Sequence, residues 1–231
     1  MKLKLIYLFL FTAVCACKKN NTATSTVVKD ADGNIYHTVD IGNQRWLVEN
    51  LHTTHYNNGQ PIRNLTDATA WSNASIDARN KQDSGAWCYY KNNADTGKIF
   101  GCLYNFYAVS DKRGIAPAGY RVADTTDYNT LINSLAGVAV AGSLLKDKTK
   151  GLPQSWQPPN TDASNILGFT ALPGGFRSQD GRSMLLGTVA YFGTITINNY
   201  CFGLSNSYGG VRRFTDSETN GYSIRCLKDI N

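Results

Sequence analysis

Apolar and polar positions run along this chain in short stretches whose period changes several times. Residues 5–16 form an apolar run, of a length that suits a signal-peptide core and falls short of the about 20 residues a helix needs to cross a bilayer. Residues 18–28 (KKNNTATSTVV) are small and polar without a period, which predicts a tether. Turn chemistry at residues 30–33 then opens two β-type runs, 35–41 and 44–50, joined at Gly42-Asn43 in a hairpin signal. Residues 61–84 read as polar and irregular, with one helical turn predicted at 66–71. Two aromatic segments follow, GAWCYY at 85–90 and FGCLYNFYAV at 100–109.

The strongest helical pattern lies further on. A strand-like run at 120–122 drops through Asp124-Thr125 into a stretch where Tyr128, Leu131, Ile132 and Leu135 fall at i, i+3, i+4 and i+7. Asp124 or Thr125 caps this helix, Asp127 suits its first turn, and Gly137 ends it. A second short helical piece is predicted at 140–146. A proline-rich loop over 152–160 leads into GFTALPGGFR at 168–177, and short β runs follow at 187–197, 200–205, 211–215 and 222–227. Helical patterning in mid-chain with strands at both ends predicts an α+β domain with an antiparallel sheet, and no internal repeat is visible.

The first apolar run changes the picture of where the protein resides. Lys2 and Lys4 precede it, and it ends in Val14-Cys15-Ala16-Cys17 ahead of Lys18-Lys19. This order resembles a bacterial lipobox, and Ala16 suits the small position before the acylated cysteine better than Val14 would. Residues 1–16 are therefore expected to be a lipoprotein signal peptide, Cys17 the lipidated residue, 17–28 a lipidated tether, and 29–231 a single domain of about 200 residues. The implied partner is a membrane reached through the lipid, and the implied location the bacterial cell envelope, as an outer-membrane lipoprotein. Lys18-Lys19 lacks the acidic run that sends some lipoproteins to the outer surface, so both faces of that membrane stay open.

Charge and candidate chemistry mostly exclude. The chain carries 23 Lys+Arg against 17 Asp+Glu, for +6, and without Lys2 and Lys4 the balance is +4. The basic residues are scattered, with Arg212-Arg213 the one notable pair, which argues against nucleic acid. Asp30-x-Asp32-Gly33 lacks the EF-hand spacing and reads as a turn. His52-x-x-His55 lies in an extended segment and lacks a third ligand, and no G-x-S-x-G is present. Leu172-Pro173-Gly174-Gly175 reads as a turn rather than a phosphate loop. Tyr104, Phe106 and Tyr107 read as core. Once Cys15 leaves and Cys17 is acylated, Cys88, Cys102, Cys201 and Cys226 remain. That even count favours two disulfides in an exported protein, with three connectivities open. No catalytic group, metal site, cofactor or oligomeric state is specified.

Several of these runs, in this order, resemble the Fibrobacter succinogenes major paralogous domain: DADGNIYHTVDIGNQRWLVENL, HYNNGQPI, GAWCYY, the G-x-L-Y-N-x-Y-A-V of 101–109, GYRV with its helix, GFTALPGGFR and GYSIRCLKD. The family's usual proline after G-W/Y-R-V and Trp in the next helix are here Ala123 and Tyr128. The resemblance covers nearly all of residues 30–229. It implies a C-type-lectin-like fold, with a twisted antiparallel sheet, mid-chain helices and long irregular loops, distantly related to formylglycine-generating enzymes. It also implies bridges Cys88–Cys226 and Cys102–Cys201, since the terminal strand of such folds is commonly tied to the body. The closely spaced cysteine pair that those enzymes use with copper is missing, and the sugar-binding motifs of calcium-dependent lectins are not matched.

The expected function is therefore a non-catalytic, lectin-like, membrane-anchored lipoprotein that binds a glycan or protein ligand. Contacts are expected at Trp71, Asn92, Asn93, Trp156, Asn198, Asn199 and Tyr208 on the loops. The alternatives are a copper oxidase using Cys201 and Cys226, and a structural envelope component.

Overall fold

The computed structural model describes residues 27–230. The signal segment, Cys17 and the tether up to residue 26 lie outside the described residues. Val28, expected at the end of the tether, already belongs to the domain: Val28–Lys29 pairs antiparallel with Ile35–Tyr36. Asp30 holds the turn between them, its carboxylate accepting from the backbone of Asp32 and Asn34, from Asn34 Nδ2 and from Tyr36 Oη.

The predicted hairpin forms as Thr38–Ile41 and Gln44–Leu47, with Gly42 at φ +61°, a conformation open to glycine at no steric cost. Gln44–Leu47 is paired in turn by the closing strand Cys226–Asp229, whose other edge takes Arg121–Val122. Segments from both ends of the domain thus meet in one four-stranded antiparallel sheet. A second antiparallel sheet comprises Val189–Gly193, Tyr200–Ser205 and Tyr208–Thr215. A third sheet is mixed, with Arg63–Asn64 parallel to Ala86–Cys88 and Leu103–Tyr104 antiparallel to it. Phe176–Arg177 and Ser183–Met184 form a small ladder. The class is α+β with several small, mainly antiparallel sheets. The β run expected at 222–227 is narrower, with Tyr222 and Ser223 in isolated bridges ahead of the closing strand.

Among the described residues, five α-helices join these sheets: α1 (Ala68–Arg79), α2 (Ala94–Phe100), α3 (Phe106–Val109), α4 (Thr125–Ser134) and α5 (Ala141–Leu145). The predicted long helix is α4, started by a capping box in which Asp124 accepts from Asp127 N and Asp127 accepts from Asp124 N. Its buried residues Tyr128, Leu131 and Ile132 meet the main core. There Tyr128 stacks on Phe202 at 4.5 Å and lies 5.1 Å from Trp46. Helix α1 occupies the stretch read as irregular. It buries only Trp71 and Ala74, so no apolar stripe marks it in the sequence.

Among the described residues, three cations are buried with no carboxylate bonded to them. The Arg225 guanidinium donates to Asn50 Oδ1 (2.8 Å), Leu47 O (2.8 Å), Phe169 O (2.9 Å) and Thr170 O (2.9 Å). Arg177 donates to the carbonyls of Leu65, Thr66, Asp67 and Gly181. Lys146 Nζ donates to the carbonyls of Thr161, Ser205 and Tyr208 at 2.9–3.0 Å. Each cation lies over a ring: Arg225 over Phe169 (4.6 Å), Arg177 over Trp71 (4.5 Å) and Lys146 near Trp156 (5.6 Å). Burial pulls the Arg225 guanidinium down to about 10, which leaves it charged at neutral pH.

The expected bridges are not formed. Cys88, Cys102, Cys201 and Cys226 are buried free thiols. Cys88 faces Leu103 across its ladder and packs in the Trp71 cluster, whereas Cys226 packs with Tyr36 and Trp87 in another. Cys102 sits in that second cluster, while Cys201 lies in the three-stranded sheet beside Asn199 O. Each proposed pair is therefore split between separate parts of the interior. Burial pushes the Cys88 thiol up to about 11 and raises the other three as well.

Two outcomes are expected. Arg225→Met removes four charge-assisted donations but leaves three backbone carbonyls in place, so stability should fall by about 3 kcal/mol. For a domain of this size that corresponds to a melting temperature lower by roughly 6–12 °C, and an unchanged melting curve would refute the role of Arg225. A thiol reagent should leave Cys88, Cys102, Cys201 and Cys226 unmodified in the native protein and label all four once it is denatured without reductant. A count of two or fewer would restore the bridges.

Candidate ligand-binding groove

The three-stranded sheet has two unlike faces. Ala190, Phe192, Phe202, Leu204 and Val211 turn into the main core. Alternation along each strand then sends Tyr191, Cys201, Gly203, Arg212 and Phe214 to the opposite face. The register aligns Tyr191, Gly203 and Arg212 in one row across the three strands, and Gly193, Cys201 and Phe214 in the next.

Gly203 decides what this face can hold. A Cβ there would stand 2.9 Å from Tyr191 Cε1 and 3.1 Å from Phe214 Cε1. The two rings lean over the glycine from either side and meet edge to face, with centroids 4.9 Å apart. Phe176 extends the surface, 5.4 Å from Tyr191, and lies against Tyr222 at 5.9 Å. Tyr191, Phe176 and Phe214 are half-buried, so each ring keeps an exposed edge or face. With Leu185, Arg212, Arg213 and Asp216 they line an open groove of about 470 Å³.

Polar groups complete it unevenly. Asp216 is occupied: it accepts from Tyr222 Oη (2.6 Å) and from Ser217 N (2.8 Å). Among the described residues Tyr191 Oη has no hydrogen-bond partner, and its pKa is raised by burial, with the Arg212 charge opposing that shift. Arg212 and Arg213 are exposed and make no hydrogen bond or ion pair among the described residues. The arrangement can take the flat apolar face of a ring on its aromatic surface and bond polar substituents at its edges.

The residues expected from sequence lie elsewhere. Trp71 and Trp156 are buried, as the rings beneath Arg177 and beside Lys146, and Trp156 Nε1 donates to Ala171 O. Asn199 is also buried. Its amide donates to Ser217 O (2.7 Å), which fastens the segment carrying Asp216. These three are corrected to structural roles, because each fills space or bonds backbone within the fold. Asn92 is exposed but its amide donates to Thr66 O, and Asn93 caps α2. Asn198 and Tyr208 are exposed, the first in the turn before Tyr200 and the second at the start of the strand that carries Arg212 and Phe214. Sequence reasoning missed Tyr191, Phe214, Phe176 and Gly203. The one signal pointing to this face was the Arg212-Arg213 pair.

A smaller pocket of about 280 Å³ lies near Tyr36, Glu49, His52 and Lys98. Two of its charged groups are already paired, Glu49 with His37 and Lys98 with Asp95. Burial lowers the pKa of His52, favouring its neutral form. The two histidines of the H-x-x-H diverge, His55 to Asp32 and His52 to the edge of Tyr89. No group of three or more His, Cys, Asp or Glu side chains is placed to hold a metal among the described residues.

A family model for the Fibrobacter succinogenes major domain matches residues 39–228. Comparisons with curated proteins and with solved structures gave no match. The chain belongs to the Fibrobacter succinogenes major domain family.

Proposed function

We propose that this Fibrobacter succinogenes major domain is a non-catalytic, lectin-like glycan-binding module, held at the bacterial cell envelope by lipid on Cys17 as an outer-membrane lipoprotein. The observation that carries the reading is the outer face of the three-stranded sheet, where Gly203 lets Tyr191 and Phe214 meet beside unpaired guanidinium groups. Aromatic surface of this kind, rimmed by a few polar groups, is what a ring with one apolar face and hydroxyl edges requires. The α+β architecture with short strands and long loops suits a lectin-like scaffold.

The anchor is supported by the order of Lys2, Lys4, the apolar run and Val14-Cys15-Ala16-Cys17. Two acyl chains hold a protein at a membrane almost permanently, at about 0.8 kcal/mol per buried methylene. The copper-oxidase alternative needs thiolates at Cys201 and Cys226. Burial favours the protonated form of both, which supports the non-catalytic reading.

A glycan array probed with the mature protein in detergent should give hits that Tyr191→Ala weakens at least about ten-fold, or about 1.4 kcal/mol. Binding that Tyr191→Ala leaves intact would move the site elsewhere. An empty array would shift the reading to a protein ligand or a structural role. Cys17→Ser should abolish incorporation of labelled palmitate, whereas Cys15→Ser should retain it, and the reverse pattern would reassign the anchor.

A further inference from the structure

The geometry points to a groove that selects acidic saccharides, with Arg212 taking a carboxylate carried on the sugar ring. This inference rests on the reading of the groove as a glycan site and adds the chemical class of the glycan.

The first support is the state of the charges. Arg45 pairs with Asp40, Arg63 with Asp77, Arg113 with Asp83 and Asp111, Arg121 with Asp127 and Asp229, and Arg182 with Asp180. Arg177 and Arg225 are saturated by carbonyls. Among the described residues, Arg212 and Arg213 share the unpartnered state only with Arg79 on α1, and they line the groove together with the half-buried rings of Tyr191, Phe176 and Phe214. The single acid at the groove, Asp216, already accepts from Tyr222 and Ser217. A ligand therefore meets two free cations against one occupied carboxylate.

The second support is register. Tyr191, Gly203 and Arg212 share one row, so about two strand spacings, roughly 10 Å, separate the ring-bearing and charge-bearing backbones. The Tyr191 ring reaches back over Gly203 into that interval. A sugar ring laid on Tyr191 would then turn its edge, where a uronic acid carries its carboxylate, toward Arg212. A planar guanidinium matches a carboxylate with two parallel N–H donations, a geometry that lysine cannot supply. Arg213 alternates to the other face of the strand and adds positive charge at the rim.

The test compares an oligogalacturonate with its methyl ester, which keeps every ring and removes the charge, by calorimetry on the mature protein in detergent. The acid should bind at least about ten-fold tighter at low salt, and the preference should shrink as salt screens the exposed pair. Arg212→Gln should abolish the preference by bringing the affinity for the acid down to that for the ester, with the melting temperature unchanged. Arg212→Lys should retain only part of it, and Tyr191→Ala should weaken both ligands alike. Equal binding of acid and ester by the wild type would overturn the acidic preference and leave the glycan reading standing. A preference that survives Arg212→Gln would overturn the assignment to Arg212. Binding of neither ligand, with binding of sulfated or neutral glycans on the array, would overturn the carboxylate class, and binding of no glycan at all would overturn both.

Discussion

Arg225 is a cation without an acid, set where distant segments of the chain converge. A domain built from short strands leaves many carbonyls outside any ladder, and those that are buried require donors. A guanidinium supplies five N–H groups from one side chain. Arg225 spends them on the end of the first hairpin, on Asn50 just beyond it, and on the loop at Phe169-Thr170. Arg177 and Lys146 repeat the device for other loops. In each case an aromatic ring covers the cation, so desolvation is offset by carbonyl dipoles and by a π face together.

That frame explains why part of one sheet face remains open. Phe192, inside the three-stranded sheet, lies within 5.6 Å of the Arg225 guanidinium and packs with Phe169. The inner face is thereby fixed to the hub. On the outer face, with strands held in register and a glycine at its centre, Tyr222 packs beneath both Tyr191 and Phe214 and keeps them together. Rigidity beneath the groove comes from the core, and the chemistry above it from the side chains that the core does not use.

How much of this was legible depended on whether the residue pattern encoded packing or long-range bonding. The hairpin about Gly42-Asn43 and α4 were readable because turn chemistry and an i, i+3, i+4 stripe are local. Helix α1 was not, because a helix that buries only Trp71 and Ala74 leaves no stripe. Trp71, Trp156 and Asn199 look like contact residues in the sequence because it does not distinguish a ring that shields a buried cation, or an amide that bonds backbone, from one that faces solvent. Two disulfides follow from the habits of exported proteins and their pairing from the family resemblance, whereas the fold places the proposed partners apart. The groove was hidden for a related reason: its rings come from separate strands, and the glycine that joins them has meaning only through register.

The four-stranded sheet carries one more implication, for the order of events during synthesis. The strand Cys226–Asp229 is flanked on both sides, by Gln44–Leu47 and by Arg121–Val122. A nascent chain can form the first hairpin early, but the hairpin has no partner, and the carbonyls of Leu47 and Phe169 have no donor, until residues 225–229 emerge. Closing so long a loop is entropically costly and slow. The domain thus completes its fold only after residues 225–229 have been made, and until then the nascent domain keeps unpaired strand edges that a chaperone can hold.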